Sequence, residues 1–185
     1  DKTAKENEVT SSEEIPITQT DSSRLKSTQN LYDSASKILF LAIRWAKSIP
    51  SFSQLAALEQ KKLLNNSWSE IFVIAAAQWG LSIEDDVAEN AQYLKQLQGF
   101  IKHFVQLKVD HFESACLKAL VLFRDGVTDD QTSSQQILLL QNQTILLINE
   151  KCGGLRLGHL MLLLPQIKAI GHAESLQVSS KLFKF

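Results

Sequence analysis

The sequence predicts an all-α protein built from layers of helices. Two apolar series step along the chain by three and four residues, the period of one buried helix face, and Pro50 separates them. Seven glycines and three prolines in 185 residues are few for a β-sandwich. No repeat of fixed period is visible, so a solenoid is not expected. The two series are Leu31, Ala35, Ile38, Ala42, Trp45 and Ile49, then Leu64, Trp68, Ile71, Ala75 and Trp79.

Length and local composition predict one domain preceded by a linker. A chain of 185 residues can bury one substantial core and needs no second domain. Residues 1–30 are mainly polar, so the apolar surface they could bury would not offset the entropy lost on ordering. We therefore expect a flexible hinge or linker over residues 1–30 and the folded domain over residues 31–185. An N-terminal helix that packs on the core is the alternative for the first segment.

Charge and cysteine usage argue against several classes of protein. The net charge is -1, and the lysines and arginines are scattered, so no basic stripe suits nucleic acid or an anionic membrane. No apolar run is long enough to span a membrane, and no secretory signal opens the chain. Cys116 and Cys152 stand alone in separate segments, as a reducing compartment allows. We expect a soluble, intracellular protein with no membrane partner.

Breakers and capping residues set the helix boundaries. The predicted helices cover about 31–49, 58–79, 91–107, a segment opening after residue 110, 135–150 and 155–164. In the turn after Pro50, Phe52 is expected to plug the core. Pro165 is expected to kink or end the last helix, and periodicity is lost after Ile170.

Four polar or small residues carry local predictions of their own. Asp110 and Glu113 form a capping-box pattern that opens the fourth helix. Gly126 suits a left-handed C-cap at the end of that helix. Glu70 lies among apolar neighbours, so it either points to solvent or needs a buried cationic partner.

The chain carries no recognisable catalytic or metal-binding pattern. Its four histidines lie without an HxxxH pair or a cysteine at ligand spacing, so a zinc site is not expected. No phosphate-binding glycine loop or GxSxG motif is present. Cys116 on an apolar helix face is more typical of a small core residue than of a nucleophile. The sequence therefore predicts neither an enzyme nor a cofactor.

One surface stripe remains that could hold another protein. Phe40, Ile43 and Lys47 are spaced i, i+3 and i+7, so two apolar side chains and a cation share one side of the first helix. Lys47 also stands in the last turn, where an ammonium group complements the helix dipole, and that is its simpler explanation. Docking of a partner helix is the functional alternative.

Several motifs together resemble the ligand-binding domains of nuclear receptors. The first is Phe40-x4-Trp45-Ala46-Lys47-x-Ile49-Pro50-x-Phe52-x2-Leu55, followed by Glu59-Gln60-x2-Leu63-Leu64-x3-Trp68-x-Glu70-Ile71-Phe72. Further matches in order and spacing are Gln78-Trp79, the stretch from Leu107 to Ala119, and the stretch from Arg156 to Pro165. The resemblance covers about residues 31–170 and is greatest to the tailless class of orphan receptors, with photoreceptor-type and COUP-type receptors next.

This resemblance implies an antiparallel helical sandwich and a coregulator groove. Lys47 would be the cationic half of a charge clamp, and Lys61 and Asn65 would lie on the groove's second helix. An apolar residue is usual where Lys61 stands, which disfavours ordinary activators. The resemblance implies a transcriptional repressor that docks an Atrophin-type corepressor helix on the first predicted helix. The surface expected to dock it comprises Ala35, Ile38, Leu39, Ala42, Ile43 and Lys47, with a plain core role as the alternative for Ile38 and Ala42.

The sequence also departs from the family pattern at both ends. No helix 1 is recognisable before Leu31, and nothing after Leu176 resembles the final activation helix, whose glutamate would complete the clamp. The zinc-bearing DNA-binding domain is not in this chain, so DNA would be read only through a separate domain.

The resemblance has consequences for location, assembly and ligand. It implies a nuclear protein that could form a homodimer through residues 155–170. The alternative function is a ligand-regulated transcription factor domain that senses a small apolar molecule. Large side chains favour a collapsed or small pocket: Leu39, Trp45, Trp68, Phe72 and Trp79.

Overall fold

A computed structural model describes residues 19–89, 91–124, 126–127 and 130–178, and every regular element in those residues is an α-helix. None of the helices in these ranges is long and apolar enough to cross a membrane. The helices are α1 Gln19–Ser48, α2 Pro50–Ser53, α3 Ala57–Gln78, α4 Asp85–Ala88, α5 Gln92–Gln106, α6 His111–Leu122, α7 Gln131–Cys152, α8 Gly154–Met161 and α9 Leu163–Val178.

Helix α3 is the central element of the fold. It packs against α1, α5, α6 and α9, and α5 and α9 also contact each other. Every residue from Ser69 to Ala77 is buried. A helix covered all round in this way forms the middle of a layered sandwich. The all-α prediction is confirmed, and α3 lies within one residue of its predicted ends.

Helix α1 begins twelve residues before the predicted start at Leu31. Residues 19–30, which the sequence analysis gave to the linker, are helical. No glycine or proline interrupts the chain between Pro16 and Pro50, so nothing breaks the helix once the core orders its C-terminal half. The Ser27 hydroxyl donates to the Glu84 carboxylate (2.6 Å), which ties this extension to the chain before α4. Residues 1–18 of the predicted linker lie outside the described residues.

The turn after α1 is fixed by buried and hydrogen-bonded side chains. Phe52 is completely buried, as predicted. Pro50 occupies the first position of α2, where the missing N–H costs no hydrogen bond. The Gln60 side-chain amide donates to the carbonyls of Leu55 (2.8 Å) and Ser53 (3.3 Å). These contacts hold the turn against the start of α3.

Helix α6 opens as predicted and ends differently. Asp110 accepts from the Glu113 backbone N–H (2.7 Å), and Glu113 accepts from the Asp110 backbone N–H (3.0 Å), which completes the capping box. The helix ends at Leu122 with Phe123 as its C-cap. Gly126 does adopt a positive φ of 78°. Because it lies beyond the C-cap, it serves the following turn and does not cap the helix.

The boundaries of the last three helices differ from the predicted ones. Helix α7 begins at Gln131, four residues early, because the Asp130 carboxylate caps it by accepting from the Ser133 N–H (2.7 Å). Pro165 does not end a helix; the break falls at Leu162, and Pro165 is the third residue of α9, where its missing N–H is tolerated. Helix α9 then continues to Val178, beyond the predicted loss of periodicity.

Replacement by alanine should change the free energy of unfolding in opposite directions at two helical glycines. A Cβ at Gly171 would lie 3.0 Å from the Glu70 Cγ and 3.1 Å from its backbone nitrogen, whereas a Cβ at Gly99 would meet nothing within 4 Å. We expect Gly171→Ala to lower the free energy of unfolding by about 1 kcal/mol, because overpacking exceeds the gain in helix propensity. Gly99→Ala should raise it by about 0.5–1 kcal/mol. Urea unfolding of both variants measures this, and equal shifts would contradict the close approach of α9 to α3.

Candidate functional site

The predicted surface stripe lies along the C-terminal third of α1. Phe40 is 65% exposed, Ile43 is half-buried and Lys47 is exposed in the last turn. Their spacing places them on one flank of the helix. This surface combines a large exposed aromatic side chain, a partly covered aliphatic side chain and a terminal cation. Such a surface is suited to binding another amphipathic element.

Other residues predicted for the docking surface belong to the core. Ile38, Leu39 and Ala42 are buried, and Ala35 is half-buried. These side chains hold α1 against the rest of the domain, which is the core role left open for Ile38 and Ala42. The stripe of Phe40, Ile43 and Lys47 is therefore carried by a helix whose opposite face is anchored.

Lys61 and Asn65 lie on the first half of α3 and are both exposed. They are four residues apart, so they share one side of the helix. Helix α3 packs on α1, and the assignment of Lys61 and Asn65 to the same groove as the α1 stripe stays a prediction. The neighbouring Lys62 ammonium is bound to the Glu59 carboxylate (3.2 Å).

The buried carboxylate of Glu70 has a cationic partner from a distant part of the chain. The Arg124 guanidinium donates to both Glu70 oxygens, at 2.8 and 2.6 Å. A buried cation was one of the two alternatives for Glu70, and because the two residues are 54 positions apart, local pattern reasoning could not identify it. The pair joins α3 to the segment after α6 through two charge-assisted hydrogen bonds.

Glu113 combines its capping role with a second ion pair. The Arg156 side chain donates to both Glu113 oxygens at 2.6 Å, joining α6 to α8. This charge-assisted bonding, with the Asp110 backbone N–H, holds the pKa of Glu113 below its ordinary value of 4.5 even though burial opposes the shift.

The lowered pKa of Glu113 predicts an acid-dependent loss of stability. The unfolded state binds a proton more readily than the folded state, so the stabilisation is present above pH 4.5 and is lost as the pH falls through the folded pKa. We expect Glu113→Gln to be less stable than the native chain at pH 7, with the difference shrinking below pH 4.5. Urea unfolding at several pH values measures it, and a pH-independent difference would contradict this pairing.

Cys116 has the character of a core residue, and Cys152 is half-buried. Cys116 is buried, and burial raises the pKa of its thiol to about 11, so a thiolate is disfavoured at neutral pH. Burial also raises the pKa of Cys152. Within the described ranges, no cluster of three histidine, cysteine or acidic side chains is arranged to hold a metal ion.

The exposure of individual side chains bears on two further predictions: the large side chains expected to fill the pocket, and the apolar residues of 155–170. Leu39 and Phe72 fill the interior as expected, but Trp79 is 57% exposed because it caps the outer end of α3, so it cannot fill a pocket. Within residues 155–170, Leu160, Leu163 and Ile167 are core residues. Leu155, in the first turn of α8, and Leu162, its C-cap, are exposed.

Comparison with known proteins agrees with this architecture. The sequence matches the family described as the ligand-binding domain of nuclear hormone receptor over residues 18–85 and 77–179. It is 32% identical over 119 residues to nuclear receptor subfamily 2 group F member 5 of Danio rerio, covering 55% of this chain and 30% of that protein. It is 30% identical over 180 residues to steroid receptor seven-up, isoforms B/C, of Drosophila melanogaster, covering 83% of this chain and 32% of that protein.

Both relatives are much longer than this chain. The chain spans about a third of the length of the two receptors it matches. Both are of the seven-up type, and the tailless class is not confirmed. Proteins that contain this kind of domain are transcription factors, not enzymes.

Proposed function

Because the chain belongs to the family of nuclear hormone receptor ligand-binding domains, we propose that it is a repressor module that docks a short helical corepressor motif. The proposed partner is an Atrophin-type helix seated on the α1 stripe of Phe40, Ile43 and Lys47. The closer likeness to the tailless class is part of this proposal. So are a nuclear location and DNA binding through a separate zinc-containing domain.

The exposure of Phe40 is the observation that carries the proposal. A phenylalanine that is 65% exposed leaves a large apolar side chain in water, beside the half-buried Ile43. Burying such a side chain fully is worth about 1.5–3 kcal/mol, which is a substantial share of a micromolar affinity. The apolar face of an amphipathic helix, with anchors at i, i+3 and i+4, complements this surface.

Lys47 defines the orientation in which a partner helix would bind to the stripe. The last four carbonyls of a bound helix have no partner within that helix, and they carry the negative end of its dipole. The exposed Lys47 ammonium is placed to bind these carbonyls. The partner helix would then lie with its C-terminus towards the end of α1.

Lys61 favours a corepressor over an activator. An exposed ammonium group stands where the family usually presents an apolar side chain to an activator helix. Desolvating that group beneath an apolar partner would cost free energy. A partner that offers a polar or acidic side chain at this point is accommodated, and Asn65 adds a neutral hydrogen-bonding group beside it.

Fluorescence anisotropy with a labelled Atrophin-type helical peptide tests the docking. We expect binding at micromolar or better affinity, weakened at least about tenfold by Ile43→Asp, because a carboxylate would replace an apolar contact. Leu25→Asp is the matched control, since Leu25 is 68% exposed on the same helix, five turns away. Equal affinities of the two folded variants would remove the stripe from the interface.

Self-association through residues 155–170 is the second part of the proposal. Exposed Leu155 on α8 and Leu162 at its C-cap support it, because both leucines leave apolar surface uncovered. The buried leucines of the same range contribute to the core instead. A chain that sediments as a monomer at high concentration would remove this part and leave corepressor docking untouched.

A further inference from the structure

A second surface feature lies on the other flank of α1. A cleft of about 340 Å³ opens to solvent between α1, α3 and α6, and it is lined chiefly by apolar atoms. Leu41, Arg44 and Trp45 line it from α1, Gln78 and Trp79 from the end of α3, and Lys118 from α6. Leu41 and Trp45 lie about 100–140° around the helix from Phe40, whereas Arg44, four residues from Phe40, lies between the cleft and the docking stripe.

Lys118 makes this cleft unusual. Its side chain is only 5% exposed, yet it carries an ammonium group. The Nζ donates to the Gln78 Oε1 (3.0 Å) and lies 4.4 Å from the centroid of the Trp45 ring. In the part of the chain that the structure describes, no carboxylate forms an ion pair with it.

A buried ammonium with one neutral acceptor is poorly compensated. An ammonium has three donors, and burial without an anionic partner disfavours its charge. Burial accordingly lowers the pKa of Lys118 to about 8, so the group is still mainly protonated at neutral pH. An anion entering the cleft would supply the missing charge and a strong acceptor in a poorly hydrated site.

The walls of the cleft define the rest of the ligand. Trp45, Leu41 and Trp79 offer apolar and aromatic surface, and the last two are partly exposed to water. Arg44 adds a second cation on the exposed helix surface. The volume is close to the lower limit of small-molecule sites in proteins.

From these features we infer that the cleft binds a small organic anion, a carboxylate on a one- or two-ring aromatic body. The carboxylate binds the Lys118 ammonium beside Gln78. The aromatic body packs against Trp45, Leu41 and Trp79. The ligand would contact Leu41 and Trp45 of α1 and not Phe40, Ile43 or Lys47, so it would leave those three docking residues uncovered.

Titration with 1-naphthaleneacetate, followed by NMR, tests the inference on the native chain. The three tryptophans give three indole N–H resonances; Trp45 and Trp79 line this cleft, whereas Trp68 lines a separate polar cleft. We expect the Trp45 and Trp79 signals to shift and the Trp68 signal to stay. The neutral isostere 1-naphthaleneacetamide should bind about tenfold more weakly, since it lacks the charge that Lys118 recognises.

Variants locate the anion contact. Lys118→Met keeps the length of the side chain without its charge and should reduce naphthaleneacetate affinity about tenfold. Lys102→Met, at an exposed position on α5, should leave it unchanged. Any of three results would overturn the inference: equal binding of the acid and the amide, binding of neither at millimolar concentration, or shifts confined to Trp68. The acid and amide comparison decides the matter even if Lys118→Met does not fold.

Discussion

Replacing Arg124 with methionine should lower the free energy of unfolding by about 3 kcal/mol. The substitution leaves the Glu70 carboxylate, whose side chain is 7% exposed, without the guanidinium that bonds both of its oxygens. A buried carboxylate that loses its partner retains its desolvation cost, and that cost dominates the effect. Urea denaturation followed by circular dichroism measures the change.

Lys168→Met is the matched control for Arg124→Met. Lys168 lines the same polar cleft as Arg124 but is exposed and is not a partner of Glu70. Its replacement should stay within about 0.5 kcal/mol of the native chain. The double variant Glu70→Gln with Arg124→Met should recover part of the loss, because no unpaired charge remains. If Arg124→Met were as mild as Lys168→Met, the ion pair would not be a structural link.

Replacing Phe52 with alanine should cost about 4 kcal/mol, the second large effect. The ring is completely buried at the junction of α1, α2 and α3, so its removal leaves a cavity that the turn cannot readily close. Thermal and urea unfolding should both report the loss, with the m-value unchanged.

Phe40→Ala provides the comparison at an exposed phenylalanine. Since Phe40 is 65% exposed, its truncation should change stability by no more than about 0.5 kcal/mol. Similar costs at the two positions would mean that Phe40 is a core residue, and the docking proposal would fail with it. A stable Phe40→Ala variant is also the cleanest reagent for binding measurements.

The sequence predicted the best-patterned helices and missed what depends on distant contacts. Helices α3 and α5 lie within one residue of their predicted ends, because their apolar spacing and flanking polar residues agree. The polar start of α1 has too few apolar residues to show a period, so residues 19–30 were assigned to the linker. Arg124 could not be matched to Glu70, because 54 residues separate them and no local pattern connects them.

Periodicity also could not decide which flank of α1 faces outwards. It groups residues by helix face, but burial depends on how α1 lies against α3. Ile38, Leu39 and Ala42 proved to be core residues, whereas Phe40, Ile43 and Lys47 kept accessible surface. The Lys118 site was invisible for the same reason, since its lining residues come from three helices.

Photo-crosslinking from α1 tests the docking claim most directly. Benzoylphenylalanine replaces Phe40 in one sample and the adjacent Leu41 in another; both positions are exposed, and they point about 100° apart around the helix. With the Atrophin-type peptide bound, we predict a crosslink from position 40 and little or none from position 41. Equal crosslinking from both positions, or crosslinking from position 41 alone, would contradict docking on the Phe40 flank.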